Sequence, residues 1–171
     1  MFQIVPAAVA DGPDIDILLD TCFGPARLAR TAYRLRDGVE AIPELSLVAR
    51  DGDTLAGSIQ MWPMQLRSAS GTITGLTLLG PLVVSPARRC EGVGSRLMEA
   101  ALAKANAIGA NPIVLIGDAV YYERFGFGSA ATRDWIVPGP VDRDRLLLRG
   151  AAALPRFGWL ESARSRRRLA A

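Results

Sequence analysis

The 171-residue chain contains no histidine, a single lysine (Lys104) among its 20 basic residues, and two cysteines, Cys22 and Cys90. With no histidine, and with cysteines far apart and outside any Cys-x-x-Cys pair, zinc fingers, c-type haem attachment, Cys–His proteases and disulfide scaffolds are excluded. A reducing cytoplasm is the expected setting, and no metal is expected. Aromatic residues make up only 6% of the chain. Apolar runs such as Pro112-Ile113-Val114-Leu115-Ile116 fall far short of the roughly 20 residues that span a bilayer, so no membrane partner is expected. A secretory leader is also not expected: no basic segment opens the chain, and Asp11, Asp14, Asp16 and Asp20 stand where a leader needs apolar side chains.

Half the residues are apolar and 22% are charged, the composition of a folded chain and not of a disordered one. The length suits one domain over residues 1–171, able to bury roughly two-thirds of the surface of its unfolded chain without staples. Four basic residues cluster at Arg164, Arg166, Arg167 and Arg168, and without them the charge of the rest is nearly balanced against the 17 acidic residues. Residues 161–171 therefore read as a basic, partly disordered tail, and the body offers no general polyanion surface. Neither aromatic interleaving nor a recognition motif accompanies the tail, so no nucleic-acid partner is expected.

An opening strand is predicted over residues 2–7, followed by a helix whose apolar positions Ile15, Leu18, Leu19, Cys22 and Phe23 keep helical spacing until Gly24-Pro25. A second, arginine-rich amphipathic helix is predicted over 26–36. Strands over 45–50 and 54–61 flank Asp51-Gly52-Asp53 as a hairpin, Pro63 ends the second, and a short strand over 64–67 follows. The apolar run 75–84 is interrupted by Gly80-Pro81, which a regular central strand does not tolerate because proline gives no ladder donor. Val93, Leu97, Ala101, Ala105 and Ile108 then step along one face of a helix over 92–108. Residues 113–116 read as a buried strand, 120–124 as a helical turn, the region from 127 as strand-like, and 146–148 as the last strand.

The chemistry concentrates where a strand, a basic loop, two glycines and a helix start follow one another, from Leu82 to Leu97. Glycines let backbone N–H groups converge on an anion, and the open donors and dipole of a helix N-terminus add to the attraction. Alone, such a segment is equally an ordinary turn and cap. It is not a P-loop, since no Gly-x-x-x-x-Gly-Lys-Ser/Thr is present, and it lacks the third glycine of a dinucleotide fingerprint because position 97 is Leu.

Two spaced motifs carry a family resemblance. Arg89-Cys90-Glu91-Gly92-Val93-Gly94 resembles the Arg/Gln-x-x-Gly-x-Gly/Ala pyrophosphate loop of the GNAT superfamily of acetyl-coenzyme A-dependent N-acetyltransferases, and Tyr121-Tyr122-Glu123-Arg124-Phe125-Gly126-Phe127 resembles its aromatic-Tyr-x-x-x-Gly-Phe segment. The likeness covers residues 2–127 and fades beyond. It implies an α/β (α+β) fold with a mixed, largely antiparallel sheet, flanked by helices, whose central strand pair is bulged and splayed, Gly80-Pro81 being the bulge. It implies acetyl-CoA as co-substrate, with the backbone of Leu82, Val83 and Val84 holding pantetheine. The backbone of Arg89, Cys90, Glu91, Gly92, Val93, Gly94 and Ser95 would hold the pyrophosphate, and the charges of Arg88 and Arg89 would be in reach of phosphate. Asp118 occupies a place where many members have an Asn that touches pantetheine; its other reading is a helix cap. Tyr122 would be the general acid that protonates the leaving thiolate, with Tyr121 a packing residue.

The expected reaction is acetyl transfer to a primary amine by direct attack in a ternary complex; the other reading is a non-catalytic acyl-coenzyme A-binding regulatory module. A covalent route through Cys90 is disfavoured because that residue lies inside the phosphate loop. The general base stays open among Asp118, Glu44, Glu123 and a water chain. Trp62, Trp135, Trp159, Met61 and Met64 could line an acceptor pocket, although core packing is the simpler account. The acceptor, a small-molecule amine or a protein amine, is not named by the sequence. Oligomeric state is open, with a homodimer among the options.

Overall fold

Alternating apolar residues build most of the architecture of this computed structural model, which describes residues 2–150 and 153–163. Strands β1 (Gln3–Pro6), β2 (Leu47–Asp51), β3 (Thr54–Arg67) and β4 (Ile73–Val84) pair antiparallel in chain order. Strand β5 (Ile113–Ile116) then joins β4 in parallel, and β7 (Leu146–Arg149) adds to β5 antiparallel. The sheet order is β1-β2-β3-β4-β5-β7. Strand β8 (Phe157–Ser162) pairs antiparallel with the second half of β3, and β6 (Asp134–Ile136) lies parallel to β8.

Period-two alternation gives each sheet face its own helix. Leu47 and Ala49 of β2 face helix α3 (Val93–Ala107), whose buried stripe Val93, Leu97, Met98, Ala101, Leu102 and Ala105 shares a core with Ile59, Met61, Leu79 and Leu115. Val48 and Val83, one residue out of phase, face helix α1 (Gly12–Phe23) and its buried Ile15, Leu18 and Leu19. A third cluster around fully buried Trp135 joins Leu35, Met64, Leu66, Leu78, Val114, Leu146 and Leu160. Trp135, Met61 and Met64 are thus core residues. No helix among the described residues is long and apolar enough to cross a membrane.

Four expectations need correction. The predicted helix over 26–36 is broken: a 3-10 turn (Pro25–Ala29) is followed by extended Arg30 and the one-turn helix α2 (Thr31–Arg34). Arg27 is the reason, since it turns inward to Asp20 (2.8 Å), Asp16 (3.1 Å) and the Tyr33 hydroxyl (2.7 Å) and pulls the segment onto α1. Secondly, Pro63 does not end a strand. The Pro63 carbonyl accepts from Ala163 N–H and the Met61 carbonyl from Ile42 N–H, so the donor that Pro63 lacks also faces away from β4. On that side the β2 ladder ends at Ile59 and the β8 ladder begins at Met64, so Pro63 stands at the end of the β8 pairing and forgoes only the return bond to Ala163.

Thirdly, the region from 127 contributes only a single bridge, Gly128 to Leu148, before β6 begins at Asp134. Finally, β7 is not the last strand. Glu161 and Ser162, assigned above to the tail, end β8, where Glu161 accepts from Arg67 at 2.5 Å and from Gln65 at 3.3 Å. Arg164, Arg166, Arg167 and Arg168 lie outside the described residues.

Candidate functional site

The site starts from one irregularity in β4. Ile59 is opposite Leu82 and Met61 opposite Leu79, so Gly80 and Pro81 together stand across from Gln60, a β-bulge. The Trp62 indole N–H donates to the Gly80 carbonyl at 2.7 Å and fixes it. Strand β4 pairs with β5 only through Thr77–Ile113 and Leu78–Val114. Beyond those pairs the strands part, and the split widens into a cleft of about 940 Å³, within the range of small-molecule and cofactor sites. Leu79 to Leu82 form one wall, Ile116 to Asp118 with Tyr121 and Tyr122 another, and residues from 23–36 and 140–145 complete it. Leu82 lines the cleft. Val83 is buried against α1, and the Val84 carbonyl accepts from the Cys22 thiol at 3.5 Å.

At the far end of β4 a 3-10 turn (Pro86–Arg88) leads into the loop that starts α3. Cys90 and Gly92 both have positive φ, 66° and 76°, which turns the backbone back on itself before the helix. Gly92 is the N-cap of α3 and no side chain caps this end, so the first-turn amides are open toward the loop. Gly94 is a close-approach position: a Cβ there would lie 3.1 Å from the Tyr121 hydroxyl and 3.4 Å from Val84 Cγ2. These features fit a pyrophosphate, whose oxygens accept from several convergent N–H groups.

The charged residues of the loop divide in a way the motif does not reveal. Arg88 is engaged by Asp51 and by Glu91 (3.4 Å), whereas Arg89 is exposed and in no ion pair among the described residues. Cys90 is exposed on the loop and Val93 is buried in the core. A further cation was missed: Arg124 lies over the Tyr121 ring (4.3 Å) and donates to the Ser95 hydroxyl at 3.0 Å, beside the helix start. Its position inside the second motif was the available signal.

Helix α4 (Ala119–Tyr122) carries the other motif. Asp118 is its N-cap, accepting the Val120 N–H at 3.2 Å, and it lines the cleft. Tyr122 lies over the Gly117 backbone so closely that a Cβ on Gly117 would meet its ring at 2.3 Å. Its ring is edge-on to Tyr121 at 4.9 Å and to Phe127 at 6.0 Å. Burial pushes the Tyr122 phenol up to about 12, with Tyr121 and Asp118 adding to the rise and Arg145 opposing it. Of the three candidate bases only Asp118 lines the cleft; Glu44 and Glu123 are exposed elsewhere, and Asp142, not considered from sequence, lines it as well. Trp159 packs on Phe157 and under Arg67, while Trp62 lines a recess of about 520 Å³ that shares Tyr33 and Arg36 with the cleft.

Residues 5–130 match the family model described as Acetyltransferase (GNAT) domain. The chain is 30% identical over 125 residues to the Escherichia coli K12 protein named uncharacterized N-acetyltransferase YhbS, covering 72% of each. A crystal structure of E. coli YhbS in complex with CoA superposes with a TM-score of 0.76 at 26% identity, covering 94% of this chain and 89% of that one. A GNAT acetyltransferase from Brucella melitensis in complex with acetyl-CoA gives 0.58 at 28% identity, covering 88% and 97%. With the split strands, the open helix start and both motifs in place, the chain belongs to the GNAT family of acetyltransferases.

Proposed function

We propose that this enzyme transfers an acetyl group from acetyl-CoA to the primary amine of an acceptor by direct attack in a ternary complex. The observation that carries the reading is the split between β4 and β5, with Tyr122 on one wall and the bulged backbone of Gly80 to Leu82 on the other. Bound there, acetyl-CoA supplies an activated thioester that an uncharged amine attacks as the thiol departs. The backbone of residues 89–95 holds the pyrophosphate, aided by the charges of Arg89 and Arg124; Arg88, engaged by two acids, shapes the loop. The backbone of Leu82, Val83 and Val84 holds pantetheine along the freed edge of β4. Asp118 and Asp142 are placed to take the proton the amine loses, with the cleft mouth open to water. Tyr122 donates to the leaving sulfur.

Similarity to coenzyme-bound relatives supports the coenzyme, and the open helix start of α3 supports its placement. A thiol-release assay with acetyl-CoA and a panel of primary amines tests the reading: at least one amine is turned over. Tight coenzyme binding with no turnover across the panel identifies a non-catalytic acyl-coenzyme A-binding module instead.

A further inference from the structure

The wall that residues 26–36 give to the cleft is cationic and unneutralised. Arg30 and Arg36 both line it, and among the described residues neither is paired with a carboxylate. Their neighbour Arg27 shows the contrast: buried as a strut between α1 and α2, it is matched by Asp16 and Asp20. Arg36 is held in place by aromatics. Its guanidinium lies 3.8 Å from the centroid of the Tyr33 ring and 5.2 Å from that of Trp62, while its Nε donates to the Ala32 carbonyl at 3.0 Å. Burial lowers its proton affinity, Tyr33 works against that and Arg27 adds to it; Asp16 and Asp37 share with it the neighbouring recess, and neither forms an ion pair with it among the described residues. A cation stripped of part of its water, clamped between rings and in no ion pair among the described residues, favours an anionic ligand.

The opposite charge is on the other side. Asp118 and Asp142 reach the cleft from the turn after β5 and the approach to β7, beside Tyr122 and Arg145. Each is oriented by a backbone N–H, from Val120 at 3.2 Å and Asp144 at 3.0 Å. A polyamine would meet Arg30 and Arg36 on the 26–36 wall, whereas a molecule with one amine and one oxyanion finds a partner for each. We infer that the acceptor is a primary amine whose own skeleton carries an oxyanion, a carboxylate or a phosphate, gripped by Arg36 and Arg30 while its amino group lies toward Asp118, Asp142 and Tyr122. This assignment rests on the acetyl-transfer reading of the same cleft.

Matched pairs of acceptors test it. Free amino acids are compared with their carboxamides, O-phosphoethanolamine with ethanolamine, and spermidine serves as the cationic control, all in the thiol-release assay with acetyl-CoA. The expected result is a kcat/KM at least about tenfold higher for the oxyanion-bearing member of a pair. The two pairs tell carboxylate from phosphate. Arg36→Gln raises KM for that member and erases the preference, and Arg36→Lys restores part of it; Arg30→Gln, at an exposed position, repeats the loss in a variant whose folding is not in question. Preference for carboxamides, ethanolamine or spermidine overturns the oxyanion assignment and leaves acetyl transfer standing.

If no amine is turned over, the same pairs are titrated calorimetrically into the protein saturated with CoA. Selective, Arg36-dependent heat from oxyanion-bearing amines then upholds the anion site and overturns transfer, and absence of heat from all of them overturns both.

Discussion

At the scale of single residues, Tyr122 carries the sharpest claim. A thiol has an ordinary pKa of about 8.5, whereas burial takes this phenol up to about 12. The hydroxyl therefore stays protonated across the working range, and complete transfer to a free thiolate is uphill. Its strongest contribution is a hydrogen bond that grows as charge develops on sulfur, an interaction made in the transition state and not in the ground state. Tyr122→Phe is expected to lower kcat for thiol release by about 10²–10⁴-fold and to leave the CoA dissociation constant, measured by calorimetry, unchanged. An unchanged rate removes Tyr122 from the chemistry. Asp11 makes a stability argument of the same kind. The Ala8 N–H (2.7 Å) and then Arg50 hold its carboxyl below the usual range against the opposing effect of burial. A carboxyl depressed in the folded state contributes stability above its unfolded pKa of about 4, and that contribution is lost as pH falls through the lower, folded value. Asp11→Asn should thus destabilise the protein at pH 7 and flatten the acid limb of its stability curve, read from urea midpoints at successive pH values.

Among the elements, α3 does two jobs that pull on different residues. Its stripe from Val93 to Ala105 fastens the helix to the sheet, while Gly92 and Gly94 keep its first turn open. Gly94→Val would drive side-chain atoms into the Tyr121 hydroxyl and Val84, so CoA affinity should fall by about tenfold or more while far-UV circular dichroism stays native. Undiminished affinity would move the pyrophosphate elsewhere. This helix was legible because its period survives in the sequence, and so were β5 and the bulge, each marked by local chemistry: an apolar run in one case, Gly80-Pro81 in the other. Segments shaped by distant partners were not legible. The break at Arg30 exists because Arg27 finds two aspartates on α1, and β3 passes through Pro63 because that residue stands between the β2 and β8 ladders with its missing donor turned away from β4. The site divides the same way. The Gly-x-Gly loop and Tyr122 stand in motifs and Asp118 in a place the family resemblance marks, whereas Arg36, Asp142 and the diversion of Arg88 to Asp51 depend on packing across 26–36, 140–145 and the hairpin.

Over the whole molecule, the proposed coenzyme end (82–95) and the proposed acceptor wall (26–36 and 140–145) draw on different stretches of chain. The family-model match ends at residue 130, yet β7 completes the sheet beside β5, and β8 covers the second half of β3. Cutting the chain after residue 155 would strip that edge and leave β6 without β8, its strand partner among the described residues. Such a truncation should aggregate, seen as early elution and light scattering on gel filtration, because a bared central strand invites intermolecular pairing. A monomeric, folded product would show β8 to be dispensable. The pairing of Arg67 with Trp159 also bears on how the protein is born. Synthesis runs from the N-terminus, so both faces of the phosphate loop leave the ribosome well before β8 exists. The nascent chain can thus assemble β1 to β5 with α3 early, but a stretch of β3 must wait through some ninety further residues for its neighbour. During that interval Leu66 and Met64, buried in the finished protein beside Trp135 and Leu160, lack the later residues that cover them.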